Sequence, residues 1–261
     1  MIPIENKNVV ITGANSGIGY HMMMLLLSKG NNILAVDKNI DVLQEIEGII
    51  SLQCDVSSKE GVERIFEEAS KHFDRIDLFI ANAGFTYYES MDYVDWDRVD
   101  RIFRTNVYSP IYSYQMYVRH LNGSNGIFAM TDSAMGLMGM PGFTLYTSSK
   151  FAINGFQDAI RLENGDNIQL TVLYPVATDT GFFKAASDTE IERPFPLQSP
   201  EHVAKMMIKG IERGKKRVFP SRLFSVSMVL FKIFPPIKWA YMSSEKKKFE
   251  RFKDRRLNNI R

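Results

Sequence analysis

The run from Asn8 to Gly30 leaves this chain few folds to choose from. Asn8-Val-Val-Ile-Thr12 reads as a short buried strand, and Gly13-Ala-Asn-Ser-Gly17-Ile-Gly19 follows at once. A helix then starts, with Met22, Met23, Leu25, Leu26 and Leu27 on its buried side, and ends at Lys29-Gly30. Strand, glycine turn and helix form the opening of a dinucleotide-binding unit. The glycines let the backbone turn tightly and approach a pyrophosphate, which sits on the helix N-terminus. The spacing is Gly-x-x-x-Gly-x-Gly, and alone it is also what a tight turn after any buried strand looks like.

The same alternation repeats along the chain. Asn32-Ile-Leu-Ala-Val-Asp37, Ile49-Ile-Ser-Leu-Gln-Cys54, Asp77-Leu-Phe-Ile-Ala81, the run ending Ile127-Phe-Ala-Met-Thr131, and Ile168-Gln-Leu-Thr-Val-Leu-Tyr174 read as strands, with Arg217-Val-Phe-Pro220 as a short last one. Ser57 or Ser58 caps an amphipathic helix to about His72, and a long helix is expected from about Asp95 to Leu121, bent near Pro110. Strands separated by helical runs mean a parallel α/β sheet. The expected fold is a Rossmann-type doubly wound sheet of about seven strands with helices on both faces. Residues 1–220 form the dinucleotide-binding and catalytic domain, and 221–261 a C-terminal extension.

Asp37 ends the second strand eighteen residues after Gly19. A carboxylate there accepts both ribose hydroxyls of an adenosine and repels a 2′-phosphate, which favours NAD over NADP. Lys38, next to it, softens that preference.

Composition narrows the function class. A single cysteine, Cys54, excludes an intrachain disulfide and suits a reducing compartment. The N-terminal residues carry no apolar signal region, and no stretch reaches the roughly 18 apolar residues of a spanning helix. The expected location is cytoplasmic. The formal charge of +2 hides an asymmetry: residues 221–261 hold 11 Lys/Arg against 3 Asp/Glu. The body is therefore acidic and gives no sign of nucleic-acid binding. His21, His72, His120 and His202 have no metal-like spacing, and no metal is expected.

Chemistry gathers between Ser133 and Lys150. Tyr146 and Lys150 are four apart on a continuous helical pattern, so phenol and ammonium share a face. A free tyrosine titrates near ~10, and a neighbouring lysine charge favours its phenolate. Such a pair moves a proton on and off an alcohol oxygen. Ser133, just after the fifth strand, is placed to hold the same oxygen.

Taken together, Thr12-Gly-Ala-Asn-Ser-Gly-Ile-Gly19, Asp55, Asn82-Ala-Gly84, Asn106, Ser133, Tyr146-x-x-x-Lys150 and Pro175 with Thr180 stand in the order and intervals of one family. Over roughly residues 5–220 the chain resembles the short-chain dehydrogenases/reductases. The resemblance implies Tyr146 as general acid/base, Lys150 lowering its pKa and bonding the nicotinamide ribose, Ser133 positioning substrate, and Asn106 holding a water. It implies Gly13, Asn15, Ser16, Gly17, Ile18 and Gly19 around the pyrophosphate, and Asp37 and Lys38 at the adenine ribose. Asp55 and Val56 fall at the adenine, Asn82, Ala83 and Gly84 on the ribose side, and Pro175, Val176, Thr178 and Thr180 beside the nicotinamide. Two positions depart from the family pattern. Val176 replaces the usual glycine, and Asp132 stands before Ser133 where small residues are usual.

The expected function is interconversion of a secondary alcohol and a ketone with NAD(H). Leu137, Met138, Met140, Phe143, Phe182 and Phe183 are the candidate pocket wall, which points to an apolar small-molecule substrate. Two other readings stay open on the sequence: a non-catalytic nucleotide-binding member of the fold, and a membrane-surface adaptor. Residues 176–198 form a long loop expected to act as a lid. The tail, apolar over 221–242 and basic over 245–261, is expected to pack over the substrate pocket of the same domain, to form a subunit contact in a homodimer or homotetramer, or to lie on a membrane surface.

Overall fold

The computed structural model describes residues 3–163, 165 and 167–260. Seven strands form one sheet: β1 (Asn8–Thr12), β2 (Asn32–Asp37), β3 (Ile49–Gln53), β4 (Leu78–Ala81), β5 (Gly126–Thr131), β6 (Ile168–Leu173) and β7 (Arg217–Val218). Their order is β3-β2-β1-β4-β5-β6-β7 and every pairing is parallel. The strands read as nearly unbroken apolar runs because helices cover both faces. Alternation then sorts the side chains. Val10, Phe79 and Phe128 point to one core, with α2 (Lys59–His72), α4 (Ser109–Leu121) and α5 (Thr144–Glu163). Val9, Ile11 and Ile33 point to the other, with α1 (Gly17–Leu27) and α6 (Pro200–Glu212). In the first core Phe66, Phe79 and Phe128 stack face to face, with centroids 5.3 and 5.4 Å apart.

Chain order reverses between β1 and β4, so the crevice opens at the carboxyl ends of these strands. Helix starts behave as their sequences dictate. Ser58 accepts the Gly61 amide and caps α2, and Ser199 accepts that of His202 and caps α6. The helix expected from Asp95 to Leu121 is instead three pieces: α3 (Trp96–Phe103), a π-helical turn (Arg104–Tyr108) and α4. Pro110 has no amide to return to Asn106, and the widened turn just before it absorbs the missing bond.

The tail forms α7 (Arg222–Ile233) and α8 (Pro235–Ile260). Its prolines open α8 rather than interrupt a helix, and the axis turns by 120° at Phe234. Phe249 and Phe252 of α8 reach back to Tyr88 and build, with Phe143, an aromatic cluster over the carboxyl edge of the sheet. Among the described residues no single helix is long and apolar enough to cross a bilayer.

Candidate active site

A cavity of about 750 Å³ lies at the switch point, lined by the ends of β2 and β5 and by the segments that follow each of the strands β1 to β6. Its floor at one end is the glycine turn. Gly13 has φ +67°, a conformation other residues rarely adopt, and a Cβ on Gly19 would stand 1.9 Å from the Gly13 carbonyl oxygen. Ser16 begins α1 without making a side-chain capping bond, so the positive end of that helix faces the cleft uncapped by its own serine. Asp37 stands at the wall beyond it. One carboxylate oxygen accepts the Asn15 amide at 3.0 Å, and the other that of Asn39 at 3.2 Å. Lys38, Asp55, Val56 and Cys54 line the same end.

The residues expected at the phosphates and ribose divide into lining and bracing. Gly13, Ser16, Gly17 and Ile18 face the cleft, as do Asn82, Ala83 and Gly84. Asn15 and Gly19 do not. The Asn15 side chain accepts the amides of Val42 and Leu43 at 3.1 and 3.2 Å, holding the segment after β2. Asn82 also ties the sheet: its amide group donates to the Thr12 and Gly13 carbonyls and accepts from Thr131 Oγ1 at 3.0 Å.

At the other end Ser133, Tyr146 and Lys150 meet, all buried. Tyr146 and Lys150 sit one turn apart on α5, with the ammonium 5.6 Å from the phenol ring centroid. Lys150 donates to the Thr131 carbonyl at 2.8 Å. Ser133 Oγ accepts the Met135 amide at 3.1 Å, which orients the hydroxyl. Asn106 lies behind this cluster, outside the cleft wall. Its side chain accepts the Phe85 amide at 3.1 Å and donates to the Phe85 carbonyl and to Ser149 Oγ at 2.9 and 3.1 Å.

Electrostatics differ from the expectation of a lysine-lowered phenol. Burial pushes the Tyr146 phenol well above its usual range; a hydrogen bond from Ser133 opposes the rise and the charge of Asp132 adds to it. Desolvation wins because the phenol is enclosed by protein, with Phe182 edge-on at 5.5 Å. Burial lowers Lys150, and burial raises Asp132.

Phe143, Phe182 and Phe183 line the substrate end as expected from sequence, and so do Pro175, Val176, Thr178 and Thr180. Leu137, Met138 and Met140 do not: the two methionines are buried in the aromatic cluster shared with α8. Tyr87, Arg101, Thr105 and Met135 line the cleft without having been anticipated. Arg101 and Thr105, four apart before Asn106, are the signal that pattern reading passes over. Among the described residues no group of three His, Cys, Asp or Glu is arranged to hold a metal. His120 accepts the Ile76 amide through Nε2 at 3.0 Å, a packing role.

A glycine turn, a strand-end carboxylate and a Ser–Tyr–Lys cluster thus share one crevice. The short chain dehydrogenase family model matches residues 7–191. The chain belongs to that family. Among curated proteins, this family member is 28% identical over 250 residues to the uncharacterized oxidoreductase YxnA of Bacillus subtilis, covering 89% of this chain and 70% of that one. It is 27% identical over 262 residues to 11-beta-hydroxysteroid dehydrogenase 1A of Arabidopsis thaliana, covering 90% and 74%. The fold matches a short-chain dehydrogenase/reductase from Burkholderia phymatum solved with NAD, with TM-score 0.79, 18% identity, and 91% and 97% of the two chains covered. It matches equally a short-chain dehydrogenase from Burkholderia cenocepacia solved with NADP, with TM-score 0.78, 19% identity, and 93% and 99% covered.

Proposed function

We propose that this chain is an NAD(H)-dependent oxidoreductase that interconverts a secondary alcohol and a ketone on an apolar small molecule. The observation that carries this is the burial of Ser133, Tyr146 and Lys150 together in the crevice that also holds the glycine turn. The cleft suits a dinucleotide: the Gly13 turn and the uncapped start of α1 offer backbone donors to a pyrophosphate, and Asp37 offers oriented acceptors to ribose hydroxyls. When bound, the nicotinamide supplies or takes the hydride. The solved relatives include NAD and NADP complexes, so the preference for NAD rests on the Asp37 carboxylate, which repels a 2′-phosphate.

The chain's own part is proton handling and positioning. Ser133 hydrogen-bonds the substrate oxygen. Tyr146, kept protonated by burial, donates its proton to a ketone oxygen during reduction. In oxidation it takes the hydroxyl proton, and Lys150, one turn away on α5 and lining the same cleft, bonds the cofactor's ribose. Phe143, Phe182 and Phe183 exclude water and favour an apolar body, consistent with the hydroxysteroid dehydrogenase named among the relatives. Mixing the protein with NADH and a panel of apolar ketones tests this. Ketone-dependent loss of NADH absorbance is expected; NADH binding with no turnover on any ketone would favour a non-catalytic member, for which the branched Val176 at the cleft is the best structural point.

The tail adds a location. Val226, Val229, Ile233 and Trp239 are more than half exposed on α7 and α8, next to Lys232 and Lys238. We propose that this face rests on an anionic membrane surface, with the body in the cytoplasm. Lys232 and Lys238 repel their counterparts on a second copy, whereas anionic headgroups attract them. A homodimer or homotetramer then uses another face, and sedimentation of the lipid-free protein measures whether one forms. Flotation with anionic vesicles at low salt is the test; protein left at the bottom contradicts it.

A further inference from the structure

Asp132 ends the fifth strand's crevice edge next to Ser133 and is fully buried. Neither carboxylate oxygen makes a hydrogen bond of good geometry among the described residues. Burying a carboxylate in this way is costly unless a charge compensates it. The fold nevertheless makes room for it. In the turn above, a Cβ on Gly136 would stand 2.5 and 2.7 Å from the two Asp132 oxygens, so only glycine leaves the carboxylate its seat.

The groups that face it are few. The ionisable groups near enough to act on its charge are Lys150 and Tyr146 of α5, Tyr174 after β6 and Arg217 of β7, the last two bonded to Asn154 and Asp158, and the Ser133 amide adjoins it. No ion pair within 4 Å joins Lys150 to Asp132 among the described residues; both are buried at the same end of β5, and the Asp132 charge opposes the effect of burial on Lys150. The Lys150 ammonium has a neutral acceptor, the Thr131 carbonyl, at 2.8 Å. A buried ammonium whose partners are all neutral loses its proton easily.

We propose that Asp132 is a positioning residue that acts through Lys150, its carboxylate serving as the buried counter-ion that keeps the ammonium charged at the floor of the cleft. The departure from a small residue before Ser133 then has a function. As cofactor and substrate shut water out, the lysine keeps its charge, and with it a strong hydrogen-bond donor at the floor of the cleft. The inference rests on the dehydrogenase reading only for the use made of that charge. The pairing itself does not depend on turnover.

The test therefore reads Lys150 directly. The full chain is labelled with 13Cε-lysine, the Lys150 signal is assigned by its loss in Lys150→Arg, and its pH titration is followed by NMR. In Asp132→Asn the midpoint is expected to fall by about one pH unit, about tenfold in proton affinity. Asp132→Ser, which places a small residue there, is the second variant and is expected to do the same. A merely structural carboxylate would leave the midpoint where it is, and an unchanged midpoint in either folded variant overturns the proposal. A lowered midpoint in a protein that reduces no ketone leaves the counter-ion standing and removes the dehydrogenase reading instead.

Discussion

Arg251 on α8 holds Glu192, in the long segment after β6, through two parallel hydrogen bonds of 2.9 and 2.6 Å. Such forked pairing fixes orientation as well as distance. Lys248 and Tyr241 add bonds to the carbonyls of Arg193 and Phe195, and the segment's base is closed where the Gln198 amide meets the Ala177 carbonyl at 2.9 Å. The loop thus hangs between its own closed base and the C-terminal helix, with Thr180, Phe182 and Phe183 facing the cleft.

This arrangement predicts a lid whose rest position α8 sets. NAD is expected to raise hydrogen-exchange protection over residues 176–198, and Arg251→Ala to lower it in the free protein. Arg251 holds the Glu192 carboxyl below its usual range. The tie is therefore intact at neutral pH and is lost as pH falls through that lowered value, so the loop loosens in acid. Equal protection with and without NAD counts against a lid.

Asp37 makes the second prediction. Its two oxygens are aimed by backbone amides, and Asp37→Ala removes the charge together with these bonds to Asn15 and Asn39. The ratio of kcat/KM for NADH over NADPH is expected to fall at least about tenfold, about 1.4 kcal/mol. A wild type that already prefers NADPH would mean that Lys38 outweighs the carboxylate.

Vesicle binding by the tail carries its own signature. Attraction between basic residues and anionic lipid weakens as salt screens it, over a Debye length of about 8 Å at physiological ionic strength. Release from anionic vesicles with rising salt is expected, and Trp239→Ala is expected to weaken binding further. Salt-insensitive self-association that disappears on removal of residues 221–261 would instead assign the face to a second copy.

Much of this was legible in the sequence, for reasons that can be named. The strands were visible because a parallel sheet buried on both faces demands unbroken apolar runs, as in Val9, Val10 and Ile11. Tyr146 and Lys150 were visible because a shared helix face needs nothing beyond a spacing of four. What escaped depends on distant partners. Met138 and Met140 have the look of pocket wall, but they are buried in a cluster that also contains Phe252, far along the chain. The π-helical turn before Pro110 left only a proline as its trace. Asp132 showed as an odd residue type, but its missing hydrogen bonds and the room made by Gly136 appear only in three dimensions.

The central claim, that Tyr146 exchanges a proton with the substrate oxygen, is tested most directly by measuring turnover and NADH affinity together in Tyr146→Phe. The phenol oxygen is removed while the buried ring and its edge contact with Phe182 remain. The expected result is a kcat lower by about 10²–10⁴-fold with NADH affinity nearly unchanged. Retention of most of the wild-type turnover on a ketone that the wild type reduces would contradict the mechanism.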